Sequence, residues 1–201
     1  MTIHSLLRYV GIDVPRYVTI DGRVIFDSPS SSVTSAAPTT ATRIEPHRFH
    51  AGPDPSPKRG RYESAWWNTD TAARQRDIDA MGEAFPDFLV MGEGDDLWYG
   101  GTIDTGRGKF LIGVQPHTNR SLPTVRVAPK MRLGRQEGRY WRKPPHLYDS
   151  GALCVASADD WNPAVHTTAT ATAWAAHWLA AYTGWRISGV WPTEGYGSRA
   201  A

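Results

Sequence analysis

Cys154 is the chain's single cysteine, and its setting is the clearest chemical signal in the sequence. It closes the string His146-Leu147-Tyr148-Asp149-Ser150-Gly151-Ala152-Leu153-Cys154, which has turn residues and no helical periodicity. A loop is therefore expected there. A lone cysteine is commonly an inert small hydrophobe, but a basic stretch precedes this one, and nearby cations favour the nucleophilic thiolate. Such a thiolate attacks a carbonyl, holds the acyl group and yields it to a second nucleophile. His146 either hydrogen-bonds locally or acts as a base.

The remaining histidines read more simply. His117 follows a proline in a loop and is expected to meet solvent. His166 caps the approach to a helix, and His177 lies on that helix's apolar side as a core residue. A zinc site from His146, Cys154 and His166 has spacings of eight and twelve, which match no recurrent zinc pattern. No metal or cofactor is expected. A Cys–His hydrolase pairing Cys154 with His166 or His177 would want the cysteine at a helix N-terminus, where the dipole lowers its pKa. The run Val155–Trp161 reads as loop, which counts against that pairing.

These residues need elements to position them. The chain has 201 residues, 40% hydrophobic and 21% charged, the proportions of one globular domain with appendages. No apolar run approaches the ~20 residues of a membrane span, and Met1–Arg8 lacks the layout of a signal peptide. With one cysteine, no internal disulfide forms, and a reducing cytoplasm is the expected location. Net charge is only +2, but Asp70–Asp96 carries −6 and Arg126–Lys143 carries +6. These are two mutually attracting faces or a docking site for a partner; no nucleic-acid module accompanies the basic stretch.

Residues 1–27 read as a small appendage with a hairpin, Tyr17–Ile20 and Arg23–Phe26 around Asp21-Gly22. A lone hairpin is marginal in water, so it is expected to pack on something. Residues 28–62 are rich in Ser, Thr, Ala, Pro and basic residues and read as a flexible linker. Trp66-Trp67 beside it is core or a docking spot. A domain is expected over 63–201. It opens with a helix capped by Thr69 or Asp70, with Ile78, Met81 and Phe85 inward and Pro86 as its stop. Strands follow at Phe88–Met91, Leu97–Ile103, Lys109–Val114 and Thr124–Val127, joined by connections short enough for an antiparallel meander. An irregular stretch, 129–163, leads to a second helix from Thr168 to Tyr182 that stops at Gly184. The fold class is α+β.

In order and spacing, these residues resemble the ubiquitin-conjugating enzymes. His146 stands eight positions before Cys154, Gly151 and Leu153 fall where that signature expects them, Trp161-Asn162-Pro163 supplies its Trp-x-Pro, and Thr167 precedes the next helix. Upstream, Trp98-Tyr99-Gly100-Gly101, Phe110–Val114, Gln115-Pro116 and Leu122–Val127 resemble the family's meander and Pro-rich step. The resemblance covers about Thr69–Pro192 and is closest to the bacterial branch, through the His-Leu-Tyr block and the ending Tyr182-Thr183-Gly184-Trp185…Trp191-Pro192. It implies a ubiquitin-conjugating-like fold and a place in a bacterial, antiphage conjugation system. Cys154 would carry a ubiquitin-like protein as a thioester, accepted from an activating enzyme and passed to a target amine. The acceptor protein is not named, and neither nucleic acid nor membrane enters.

Two departures stand out. Leu147-Tyr148 replaces the family's Pro-Asn, whose asparagine is assigned to the oxyanion, so Tyr148 is the candidate replacement donor. The chain also ends where the family's two C-terminal helices would begin. The resemblance makes His146 mainly architectural, through a backbone contact, and makes Asp159 and Asp160 candidates for orienting the incoming amine, otherwise plain loop acids. The rival reading is a non-catalytic scaffold of the same fold that binds a ubiquitin-like protein.

Overall fold

The computed structural model describes residues 15–26, 41–49, 54, 56, 69–93, 96–117 and 119–196; Trp66-Trp67 lies outside them. The architecture is α+β, with two helices and antiparallel sheets. No helix among the described residues is long and apolar enough to cross a membrane.

The hairpin consists of β1 (Tyr17–Thr19) and β2 (Val24–Ile25), with Thr19 N–H donating to Arg23 O at 2.9 Å across the turn. It is not left alone. Strand β3 (Ala41–Arg43) pairs with β1, and β4 (His47–Arg48) pairs with the late strand β11 (Gly195–Tyr196). Residues 41–49 fall in the stretch read as linker, yet Ile44, His47 and Phe49 are buried. Their apolar side chains are too few and irregularly spaced to show a period, and they gain an ordered structure only against the rest of the chain.

Helix α1 (Thr71–Ala84) is capped by Asp70, whose carboxylate accepts from Ala73 N at 2.9 Å, and it ends at Phe85 before Pro86. Its inward face differs from the expected one. Ile78 is 37% exposed, while Asp77, Met81 and Phe85 are buried at spacings of four. Asp77 takes the inward place because a partner waits there: its two oxygens accept from Thr168 N at 2.7 Å and Thr168 Oγ1 at 2.8 Å.

Strands β5 (Leu89–Met91), β6 (Trp98–Asp104), β7 (Lys109–Gln115) and β8 (Thr124–Val127) form the expected antiparallel meander in sequence order. Alternation in β7 buries Phe110, Ile112 and Val114 on one face. The stretch expected to be irregular holds a further hairpin, β9 (Arg135–Glu137) and β10 (Tyr140–Arg142). Its residues are mostly exposed and half of those in its strands are charged, so no apolar alternation announces it.

Helix α2 (Thr168–Ser188) runs past Gly184 and stops at Gly189, which adopts the left-handed conformation with φ 80°. Burial goes beyond one broad apolar face: Trp174, Trp178, Tyr182 and Trp185 are all buried, and so are nearly all positions from Thr168 to Thr183. The reason is placement. The meander packs on one side of α2, where Phe110 meets Tyr182 edge-on at 5.8 Å. On the other side lie β1, β2 and the His47–Phe49 segment, with His47 stacked on Trp174 at 5.1 Å and Phe49 at 4.8 Å from His177. A helix buried all round in this way reads as apolar throughout, with a weak stripe.

Candidate active site

The Cys154 loop is a tight hairpin laid against the meander's last strand. Leu147 bridges Leu153. Tyr148 N donates to Ala152 O, Gly151 N to Tyr148 O, and Cys154 N to His146 O, at 2.9, 2.9 and 3.0 Å. The turn needs a left-handed residue after Ser150, and Gly151 supplies it with φ 81°. The loop joins β8 through Leu153 N on Val125 O at 2.8 Å and the Arg126–Ala152 bridge. Trp178 of α2 holds it from below, its Nε1 donating to His146 O at 2.9 Å.

His146 therefore acts on this loop through its carbonyl, which receives both Cys154 N and the Trp178 indole. Its own backbone is left-handed, φ 54°. The ring lies against Phe49 and Trp191, with Nε2 3.4 Å from Glu194 Oε2. Cys154 is buried, 1% exposed. The Tyr148 hydroxyl donates to the Cys154 sulfur, and burial, then this bond, raise the Tyr148 pKa well above its ordinary value.

The other predicted residues sit downstream of the cysteine. Asp159 and Asp160 lie in a short 3-10 turn, Ala158–Asp160. Asp160 is engaged by β4: its carboxylate accepts from Arg48 N at 2.8 Å and pairs with the Arg48 guanidinium at 3.4 Å. Trp161 Nε1 donates to Arg120 O at 2.7 Å, and Pro163 O accepts from Arg76 at 3.0 Å, so the Trp-x-Pro step is tied to both α1 and the β7–β8 connection. Thr167 is the N-cap of α2, and its N–H donates to Thr170 Oγ1 at 3.2 Å.

Four histidines hold the frame. His177 Nδ1 lies 3.0 Å from His47 Nε2. Asn162 N donates to His166 Nδ1 at 3.0 Å. His117 is not solvent-facing: it is 7% exposed and bonds Ser121 Oγ and Thr124 Oγ1, each at 2.7 Å, because the connection after β7 folds back over it. Burial pushes His47 and His117 down to about 4 and carries His177 well below its usual value.

Sequence reasoning missed what arrives from the N-terminal side. The Asp54 side chain bonds Ser150 at the tip of the Cys154 loop. Ser56 N donates to Asp54 Oδ1 at 2.9 Å, and Ser56 Oγ accepts from Arg126 Nη2 at 3.0 Å. Arg126 also donates to Ser150 O. The only signal in this Pro-rich stretch is Asp54-Pro55-Ser56, a turn tripeptide, and nothing in it points to a distant loop.

Comparison with known proteins gives one result. Residues 77–198 match the family model of the type II CBASS E2 protein. No curated protein and no solved structure matches the chain. The matched span runs from the middle of α1 through the meander, the Cys154 loop and α2, more than half of the chain. This chain, with its cysteine loop held between a four-stranded meander and a buried helix, belongs to the type II CBASS E2 family, bacterial E2-like proteins of the CBASS antiphage pathway.

Proposed function

We propose that Cys154 carries a ubiquitin-like protein as a thioester, accepting it from the cysteine of an activating enzyme and passing it to a target amine. The observation that carries this reading is the Tyr148 hydroxyl on the Cys154 sulfur, at a loop whose backbone the His146 carbonyl fixes. In this relay, thiol–thioester exchange loads the cysteine with little net energy change and without a strong base. Transfer forms an oxyanion and then expels a thiolate, and Tyr148 provides a donor beside both. His146 is architectural. Gly151, Leu153, Trp161, Pro163 and Thr167 keep the loop in place, within a ubiquitin-conjugating-like fold over 63–201 whose core the residues before it complete. The relay uses no metal or organic cofactor and belongs in the cytoplasm. The +6 stretch positions a protein partner: its Arg132, Lys143 and Arg126 line a groove of about 420 Å³ beside Leu147 and Gly151.

The burial of Cys154 favours a second reading, a scaffold that binds the ubiquitin-like protein without acylation. A Cys–His hydrolase has less support. His177 and His166 are engaged by His47 and Asn162, and the cysteine precedes no helix N-terminus. The deciding experiment incubates native protein and Cys154→Ser with the ubiquitin-like protein, activating enzyme and ATP. The relay predicts an adduct that thiol reductant removes from the native chain and does not remove from the serine variant. No adduct, with the activating enzyme charged, leaves the scaffold.

A further inference from the structure

Resting on the thioester reading, we infer that Asp54 is the carboxylate that receives the incoming lysine ammonium at Cys154. Asp160, one of the two acids in the turn after the cysteine, is occupied by both the backbone and the guanidinium of Arg48. Asp54 is held differently. It is fixed to the tip of the Cys154 loop by Ser150, and its Oδ1 also accepts from Ser56 N at 2.9 Å. Arg126 spends its guanidinium on Ser150 O and Ser56 Oγ, so among the described residues no cation pairs directly with the Asp54 carboxylate. That carboxylate is exposed, and its charge is felt at the Tyr148 hydroxyl, the group that donates to the Cys154 sulfur. Desolvation alone would raise the Asp54 pKa. The bonds from Ser150 and Ser56 and the Arg126 charge outweigh it and hold the group below its usual value, so it is ionised at neutral pH.

In the proposed step Asp54 holds and orients the ammonium, which gives up one proton to water. The freed lone pair forms the C–N bond, and the C–S bond breaks with its electrons going to Sγ. The departing thiolate takes up the second N–H proton. Asp54 therefore sets which acceptors are used: cationic primary amines rather than uncharged nucleophiles.

The test needs no natural donor. Cys154 is the only cysteine, so the phenyl thioester of N-acetylglycine acylates this thiol alone, and intact mass follows its loss. Native chain, Asp54→Asn and Asp54→Glu are loaded and then discharged at pH 7.5 with Nα-acetyllysine or with hydroxylamine, which is uncharged at that pH. We expect Asp54→Asn to discharge to acetyllysine about tenfold more slowly, the loss of a hydrogen bond to a charged group. Hydroxylamine should act at the native rate, and Asp54→Glu should recover most of the difference. Equal slowing with both nucleophiles would make Asp54 a structural anchor and overturn the inference, as would an unchanged rate with acetyllysine. In either case the loaded native chain keeps the carrier reading intact. A native chain that never holds the acyl group overturns both.

Discussion

Tyr148 occupies the position where the resemblance expects an asparagine, and its hydroxyl already reaches the Cys154 sulfur. Tyr148→Phe keeps the ring's packing and deletes only that donor. Loss of one such donor typically slows acyl transfer about 10²–10³-fold, so single-turnover discharge of loaded protein should fall by that order while the urea midpoint stays within experimental scatter. A rate equal to native would remove Tyr148 from the chemistry. Gly151 makes a different demand at the same scale. With φ at 81°, an alanine there is held in the left-handed region at about 1–2 kcal/mol. The alanine's Cβ meets only the Arg126 guanidinium at 3.7 Å, so the cost is conformational and not steric. Gly151→Ala should lower stability by that amount in urea unfolding.

Between elements, the contact that matters most is Asp77 of α1 on the first residue of α2. Both its oxygens accept from Thr168, and burial, the largest influence, raises the Asp77 pKa against those bonds. Removing the acceptor leaves a buried N–H and hydroxyl unsatisfied, at about 1–3 kcal/mol. Asp77→Ala should therefore cost roughly 2 kcal/mol, and Asp77→Asn, which keeps one oxygen and sheds the buried charge, should cost less. The opposite ranking would mean that the asparagine NH₂, set against the Thr168 N–H and hydroxyl, costs more than its retained oxygen returns. Because Thr167 and the Trp161–Pro163 step lie just before this junction, loosening it should also disturb the Cys154 loop, seen as slower loading in Asp77→Ala.

At the scale of the whole molecule, the N-terminal residues close over α2. Val18, Val24, Ile44 and Phe49 are buried in the same core as Trp174 and Trp178, and each such side chain contributes about 1.5–3 kcal/mol. That sum rivals the stability of an entire domain. A chain starting at Glu63 should accordingly lose its cooperative unfolding transition; a sharp native-like melt would show that 63–201 stands alone. The buried histidines give the molecule a pH dependence. His47 and His117 sit near 4 when folded against 6.5 in the free side chain, because burial penalises their charge. The unfolded chain takes up those protons first, so stability is fully present above about pH 6.5 and is lost as pH falls toward 4. Between pH 7 and 5.5 each should contribute a loss of about 1 kcal/mol. His177 is shifted the same way; urea midpoints at the two pH values measure the sum, and His117→Gln should remove roughly a third of it.

Neighbouring residues alone suffice to place the hairpin, α1, the four-stranded meander, α2 and the cysteine loop between the last two. Alternation in Phe110–Val114, the Asp21-Gly22 turn and the Asp70 cap are written in neighbouring residues, and local backbone geometry enforces them. Where only pattern spoke, it erred: Ile78 was assigned inward by helical period, but burial went to Asp77, because a distant N–H and hydroxyl needed its oxygens. The tertiary structure alone decided that α2 is covered on both sides, that His47 meets His177, and that Asp54 and Ser56 reach the Cys154 loop. Those contacts join residues about 70 to 130 positions apart. They depend on polar groups finding partners once the core has closed, and a polar side chain carries no period that names its partner beforehand.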